Sequence, residues 1–158
     1  MECSSPLVLG IGNVLMGDEG VGSVVARHLA GDAGPPEVTV VDGGTGGLHL
    51  LDLLAEHNPV VIIDATIDQQ APGTVSLLRP RYPSDFPRSL TAHDIGLRDL
   101  VEAAALLGPL PEIHLVTVSI GGTPELGLDL SPPIAAAVPA VVARVRRLVA
   151  DLAEATGD

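Results

Sequence analysis

The order of the apolar runs is the feature that most restricts how this chain can fold. Three segments are almost uninterrupted aliphatic runs that lead into Gly or Asp: PLVLGIG (6–12), EVTVVDGG (37–44) and PVVIIDAT (59–66). Segments with apolar residues at helical spacing separate them. Strands that are apolar on both faces are typical of parallel sheets covered by helices on both sides. The β-α-β-α-β order therefore predicts an α/β fold.

The second half of the chain extends this pattern. The strand GTVSLLR (73–79) follows the third run after a link too short for a crossover helix, so we expect it to be antiparallel. A helix near 94–107, the strand EIHLVTVSI (112–120) and a long helix from about Ser131 complete the chain. We predict one domain over residues 1–158. It is a three-layer sandwich with a twisted, mixed, mostly parallel β-sheet of about five strands and helices on both faces.

Charge and cysteine content exclude several classes of function. The net charge of −12 argues against binding to nucleic acid or to an anionic membrane, since both need a positive face. No uncharged apolar run reaches the ~18 residues that a membrane span needs. Cys3 is the only cysteine, so neither an intramolecular disulfide nor a cysteine-based metal site can form. We expect a cytoplasmic, monomeric protein.

The segment LGIGNVLMGDEGVG (9–22) begins like a dinucleotide-binding loop and then departs from one. Leu15 stands where that fingerprint needs its third glycine, and two acids at the helix start would repel a pyrophosphate. We predict that Asp18 caps the following helix and that Glu19 faces a ligand. The alternative for Glu19 is a first-turn acid favoured by the helix dipole. A nucleotide-binding enzyme is thus the weaker hypothesis.

Several acidic residues follow strand ends that should meet at one edge of the sheet. The first strand leads to Glu19, the second ends at Asp42 and the third at Asp64. A 2-1-3 strand order would bring them together, and His93, which closes the longest loop, can reach the same edge. Two carboxylates and an imidazole suit zinc, nickel or a similar divalent ion.

Each of these residues could also serve the structure without binding a ligand. Asp64 is the hardest to explain in that way, because a buried carboxylate is costly unless it is paired or bound to a metal. Asp42 before two glycines can simply organise its turn, and His93 can be an ordinary loop histidine. Aspartic-type catalysis by Asp42 and Asp64 also remains open.

With these residues in place, the chain resembles the hydrogenase maturation proteases, the endopeptidases that trim the C-terminal extension of the nickel-iron hydrogenase large subunit (peptidase family M52). The resemblance is carried, in order along the chain, by LGIGNVLMGDEGVG, VVDGGTGGLHLL, VIIDA, APGTV, AHDIGL and LSP. One segment, SIGGTPELGLDLSP, departs from the more acidic pattern of that family and keeps only Glu125.

The resemblance implies a metal site and a substrate. Glu19, Asp64 and His93 match the family's metal ligands, and nickel would be supplied by the substrate protein, with zinc or cadmium able to occupy the site in vitro. The implied activity is cleavage of the large-subunit precursor after nickel insertion, and Asp42 and Asp64 are the candidate catalytic residues. Asp42 is the candidate general base or substrate-positioning group. The alternative is a module that senses metal on its partner and cuts nothing.

The only two aromatic residues share one arginine-rich loop, RPRYPSDFPR. Tyr, Phe and Arg are favoured at the centres of protein interfaces, so Tyr82, Phe86 and Arg81 are candidates for substrate docking. The alternative is that Tyr82 and Phe86 cover the edge of the sheet under a proline-rich loop.

Overall fold

The computed structural model describes residues 5–31, 38–45, 47, 49–87, 96–122 and 125–156. The strands are β1 (Leu7–Gly10), β2 (Thr39–Asp42), β3 (Val60–Thr66), β4 (Val75–Leu78) and β5 (Ile113–Ser119). The helices are α1 (Val21–Ala30), α2 (Leu50–Glu56), α3 (Leu97–Leu107) and α4 (Pro132–Thr156). Two short 3-10 turns, Gly17–Gly20 and Pro83–Asp85, precede α1 and α3. We call the first of them the GDEG turn.

The sheet has the strand order β2-β1-β3-β5-β4. The pairs β1–β2, β1–β3 and β3–β5 are parallel, and β4 is antiparallel to β5. The chain moves from β1 outward to β2 and then returns to the other side of β1 at β3. This reversal opens a crevice beyond the carboxyl ends of β1 and β3, where open α/β sheets place their ligands. The predicted 2-1-3 order and the antiparallel β4 are confirmed.

The two faces of the sheet carry separate cores because successive side chains in a strand point to opposite sides. Val61 and Ile63 of β3 pack in one cluster with residues of α1 and α4, such as Val25 and Val141. Val60 and Ile62 pack in the other with residues of α2 and α3, such as Leu54 and Leu100. The α/β fold with helices on both faces is therefore confirmed.

Within the described ranges, none of the helices combines the length and the apolar character that crossing a bilayer requires. The assignment of residues 1–158 to a single domain stays a prediction.

Candidate metal and proteolytic site

Glycines bring three backbone segments into contact at the carboxyl end of β1. A side chain at Gly22, the second residue of α1, would collide with the carbonyl oxygens of Ile11 and Ile63. A side chain at Gly12 would collide with the carbonyl oxygen of Glu19. Glycine is therefore needed for close approach of the backbones, and not for a phosphate. The result is that the GDEG turn lies directly against the ends of β1 and β3.

Glu19 lies in this turn and is buried, with 8% of its surface exposed. Its backbone N–H donates to the carbonyl oxygen of Met16 at 3.2 Å, which closes the turn. A carboxylate at this depth is expensive unless a partner or a cation stabilises it. The turn thus holds Glu19 at the crevice, and its predicted role as a metal ligand stays a prediction.

The predicted helix cap at Asp18 is wrong. Neither the GDEG turn nor α1 has a side-chain cap. Asp18 instead accepts two hydrogen bonds of 2.6 Å each from Ser131, one from its backbone N–H and one from its hydroxyl group. Ser131 directly precedes α4, so Asp18 joins the GDEG turn to the start of the last helix. A contact between residues 113 positions apart leaves no signal in the local sequence.

Asp64 lies near the carboxyl end of β3, on the sheet face that packs against α2 and α3. Its Oδ1 accepts a hydrogen bond of 2.8 Å from the backbone N–H of Ala65. Burial raises the pKa of Asp64 to about 8, and the negative charge of Glu19 acts in the same direction. The bond from Ala65 opposes this rise only in part. Asp64 therefore keeps its proton at neutral pH unless a positive charge arrives nearby.

Glu19 is buried and Asp64 is half-buried, and the charge of Glu19 acts on Asp64. A divalent cation between two such carboxyl groups would stabilise the ionised form of both. In the ranges that the structure describes, no group of three or more His, Cys, Asp or Glu side chains could hold a metal. The predicted third ligand, His93, lies outside those ranges, so its place in the site stays a prediction.

Asp42 ends β2 and has several partners. Its Oδ2 accepts a bond of 2.7 Å from Arg27 Nε, and its Oδ1 accepts one of 3.1 Å from the N–H of Gly44. Partial burial acts to raise the pKa of Asp42, but hydrogen bonds from Ser23, Arg27 and Gly44 and the charge of Arg27 together hold it below its ordinary value. These bonds support the turn-organising alternative, and the general-base role stays a prediction.

The candidate docking loop is divided between the core and the surface. Phe86 is 1% exposed and packs in the core between the sheet, α2 and α3, which contradicts its predicted role in docking. Arg98 fixes it there by donating to its carbonyl oxygen at 2.6 Å. Tyr82 is 67% exposed and Arg81 is exposed, so docking by these two stays a prediction.

Sequence analysis gave no role to two buried hydroxyl residues beside Asp64. Thr117 on β5 is the register partner of Asp64, and Ser119 is the partner of Thr66. The Oγ of Ser119 has no hydrogen-bond partner within the described part of the chain. The available signal was the change from aliphatic to hydroxyl residues along EIHLVTVSI.

Both the sequence and the fold match known proteins. The model of the HycI hydrogenase maturation protease family matches residues 24–148, a span that includes Asp42, Asp64 and His93 and begins after Glu19. The hydrogenase expression/formation protein HupD of Bradyrhizobium diazoefficiens is 38% identical over 137 residues, which cover 81% of this chain and 69% of HupD.

The hydrogenase 2 maturation protease of Escherichia coli is 33% identical over 135 residues, covering 84% of this chain and 82% of the relative. The solved structure of the hydrogenase maturating endopeptidase HybD from E. coli superposes with a TM-score of 0.78 at 33% identity, covering 89% of each chain. The same fold thus recurs in a protein of closely similar length. The chain belongs to the hydrogenase maturation protease family.

Proposed function

We propose that this protein is the endopeptidase that removes the C-terminal extension of a nickel-iron hydrogenase large subunit once nickel has been inserted. Membership of the protease family supports cleavage over the alternative of a metal-sensing module without activity. The observation that carries the proposal is the pair of a buried Glu19 and a half-buried Asp64 at the crevice of the sheet, where the charge of Glu19 raises the pKa of Asp64.

The chemistry of the donor set fits a divalent cation of the nickel type. Carboxylate oxygens and an imidazole nitrogen suit nickel and zinc, and His93 is the proposed third ligand. The raised pKa of Asp64 reflects burial and a neighbouring negative charge, and a cation would offset both effects. Zinc or cadmium would serve as stand-ins in vitro.

Nickel enters this scheme as part of the substrate. A precursor that carries nickel would bring a positive charge to Glu19 and Asp64, and Asp64 would then release its proton to solvent and become a ligand. Metal binding that releases a proton strengthens as the pH rises. With an unloaded precursor, Asp64 would stay protonated. Cleavage would therefore depend on completed metal insertion.

Hydrolysis also needs an activated water molecule and a positioned scissile carbonyl. The cation can polarise that carbonyl or lower the pKa of the attacking water. We propose Asp42 as the residue that positions the substrate or accepts the proton of the water. Arg27 and Gly44 fix the orientation of its carboxyl group for either task. The cytoplasmic location and monomeric state inferred from the sequence remain predictions.

Three ligand substitutions test the proposed function. Glu19→Gln, Asp64→Asn and His93→Ala should each abolish trimming of a nickel-loaded precursor while the protein remains folded. The first two replace an anionic metal ligand with a neutral amide, and the third removes the imidazole ligand. The exposed acids of α2 supply matched controls, Glu56→Gln and Asp52→Asn, which should trim normally. The outcome is measured by mass spectrometry of the precursor, which shows whether its C-terminal extension has been removed. Normal trimming by all three ligand variants would contradict the proposal.

A further inference from the structure

Three strongly exposed leucines lie beside the GDEG turn. The exposed fraction is 56% for Leu15, 85% for Leu126 and 77% for Leu128. Single exposed leucines are common on protein surfaces, but a group of them at one place marks an interaction site. We call these three residues the leucine rim.

Backbone hydrogen bonds hold the leucine rim in a fixed position. Gly127 donates to the carbonyl oxygen of Leu15 and accepts from the N–H of Gly17, both at 2.8 Å. Leu126 and Leu128 flank Gly127, so these bonds hold both residues beside the GDEG turn. The bonds from Ser131 to Asp18 anchor the far end of this segment. The rim is therefore fixed only a few residues from Glu19.

A cleft of about 430 Å³ adjoins the rim and the GDEG turn. Its lining includes Gly17, Ile120, Glu125, Leu126 and Asp129. Glu125 and Asp129 are exposed, and no arginine or lysine is among the described residues that line the cleft. The cleft thus combines apolar surface with negative charge. A ligand of matching chemistry carries aliphatic side chains and at least one positive charge.

We propose that the leucine rim and its cleft are the docking surface for the part of the large-subunit precursor that adjoins the cut site, a segment with aliphatic and basic side chains. This inference rests on the proposed function. The surface is continuous with the turn that carries Glu19, so a segment bound there would enter the crevice directly. A second copy of this chain is a poorer occupant because two chains of net charge −12 repel each other.

Paired substitutions with a matched control test the apolar contact. Leu126→Ser together with Leu128→Ser should raise the KM for trimming of the nickel-loaded precursor at least about tenfold, since loss of an interface anchor weakens binding by about that factor. The kcat and the melting temperature should stay unchanged. Leu106→Ser with Leu107→Ser is the control, because these leucines are equally exposed but lie at the end of α3. The control should leave KM unchanged.

A second pair tests the charge. Glu125→Gln with Asp129→Asn should raise KM at low salt and should remove most of its salt dependence, because exposed charges are screened as ionic strength rises. The exposed Asp52 and Glu102 provide the neutralising control, Asp52→Asn with Glu102→Gln.

The possible failures are distinguishable. If the unsubstituted protein trims the precursor and the rim and α3 pairs have the same KM, the docking surface is wrong and the proposed function stands. If sedimentation shows a dimer that only the rim substitutions disrupt, a second copy of the chain occupies the surface and the proposal is likewise overturned. If the unsubstituted protein leaves the nickel-loaded precursor intact, the proposed function fails and the docking surface fails with it.

Discussion

Asp64 is a carboxyl group in a place where its ionisation is costly. It follows four buried aliphatic residues of β3, and the charge of Glu19 lies close to it. In the proposed reaction this cost would have a use, because a nearby cation would stabilise the ionised group that burial and Glu19 disfavour. The sequence predicted a costly carboxylate here, but the proton that it retains at neutral pH became evident only from the packing.

The first prediction concerns the pH dependence of stability in the metal-free protein. The pKa of Asp64 rises from 3.8 to about 8 on folding, so between these values the folded state binds a proton that the unfolded state has lost. Raising the pH through this window therefore favours unfolding, by up to ~1.4 kcal/mol per pH unit. Asp64→Asn has no such proton. Its free energy of unfolding should rise relative to the unsubstituted protein from pH 4 to 8 and then level off.

Urea unfolding at a series of pH values measures this difference. Asp52→Asn, at an exposed position on α2, serves as the control for loss of an acid outside the site. A difference for Asp64→Asn that is constant over this range would show that the carboxyl group of Asp64 is ionised in the folded protein.

At the scale of elements, the strands and helices followed from local patterns and the contacts between them did not. Aliphatic runs of four or more residues predicted β1, β3 and β5 because buried parallel strands require them. Helical spacing predicted α1, and Ser131 with the two prolines after it predicted the start of α4. The link between the GDEG turn and α4 was missed, since Asp18 has a more obvious local use as a cap. The local sequence around an acidic residue near a helix start does not show which helix its side chain will contact.

The second prediction tests that link. Asp18→Ala removes both acceptors of Ser131 and should lower the free energy of unfolding by about 1–3 kcal/mol, because the N–H and hydroxyl of Ser131 lose their partners in a half-buried place. Ser131→Ala keeps the N–H bond and should cost less. Thermal unfolding of both variants and of their double combination measures the coupling. Additive effects of the two substitutions would contradict the contact.

At the scale of the whole molecule, the topology of the sheet assembles the site. The reversal between β2 and β3 places the ends of β1 and β3 side by side. The glycines at the start of α1 have no side chain that would collide there, so the GDEG turn can pack against both ends. The convergence of acids could be predicted from strand order alone. The separation of Phe86 from Tyr82 and the leucine rim could not, because which residues of an irregular segment are covered depends on the packing of distant elements.

The proposed function can be tested by measuring whether cleavage of the precursor depends on nickel. The large-subunit precursor is prepared in nickel-loaded and nickel-free forms, each is incubated with the unsubstituted protein, and the mass of its C-terminus is measured over time. We expect loss of the C-terminal extension from the loaded form only, because a cation brought by the precursor would stabilise Glu19 and Asp64. Equal trimming of both forms, or an intact C-terminus in both, would contradict the proposed dependence on nickel.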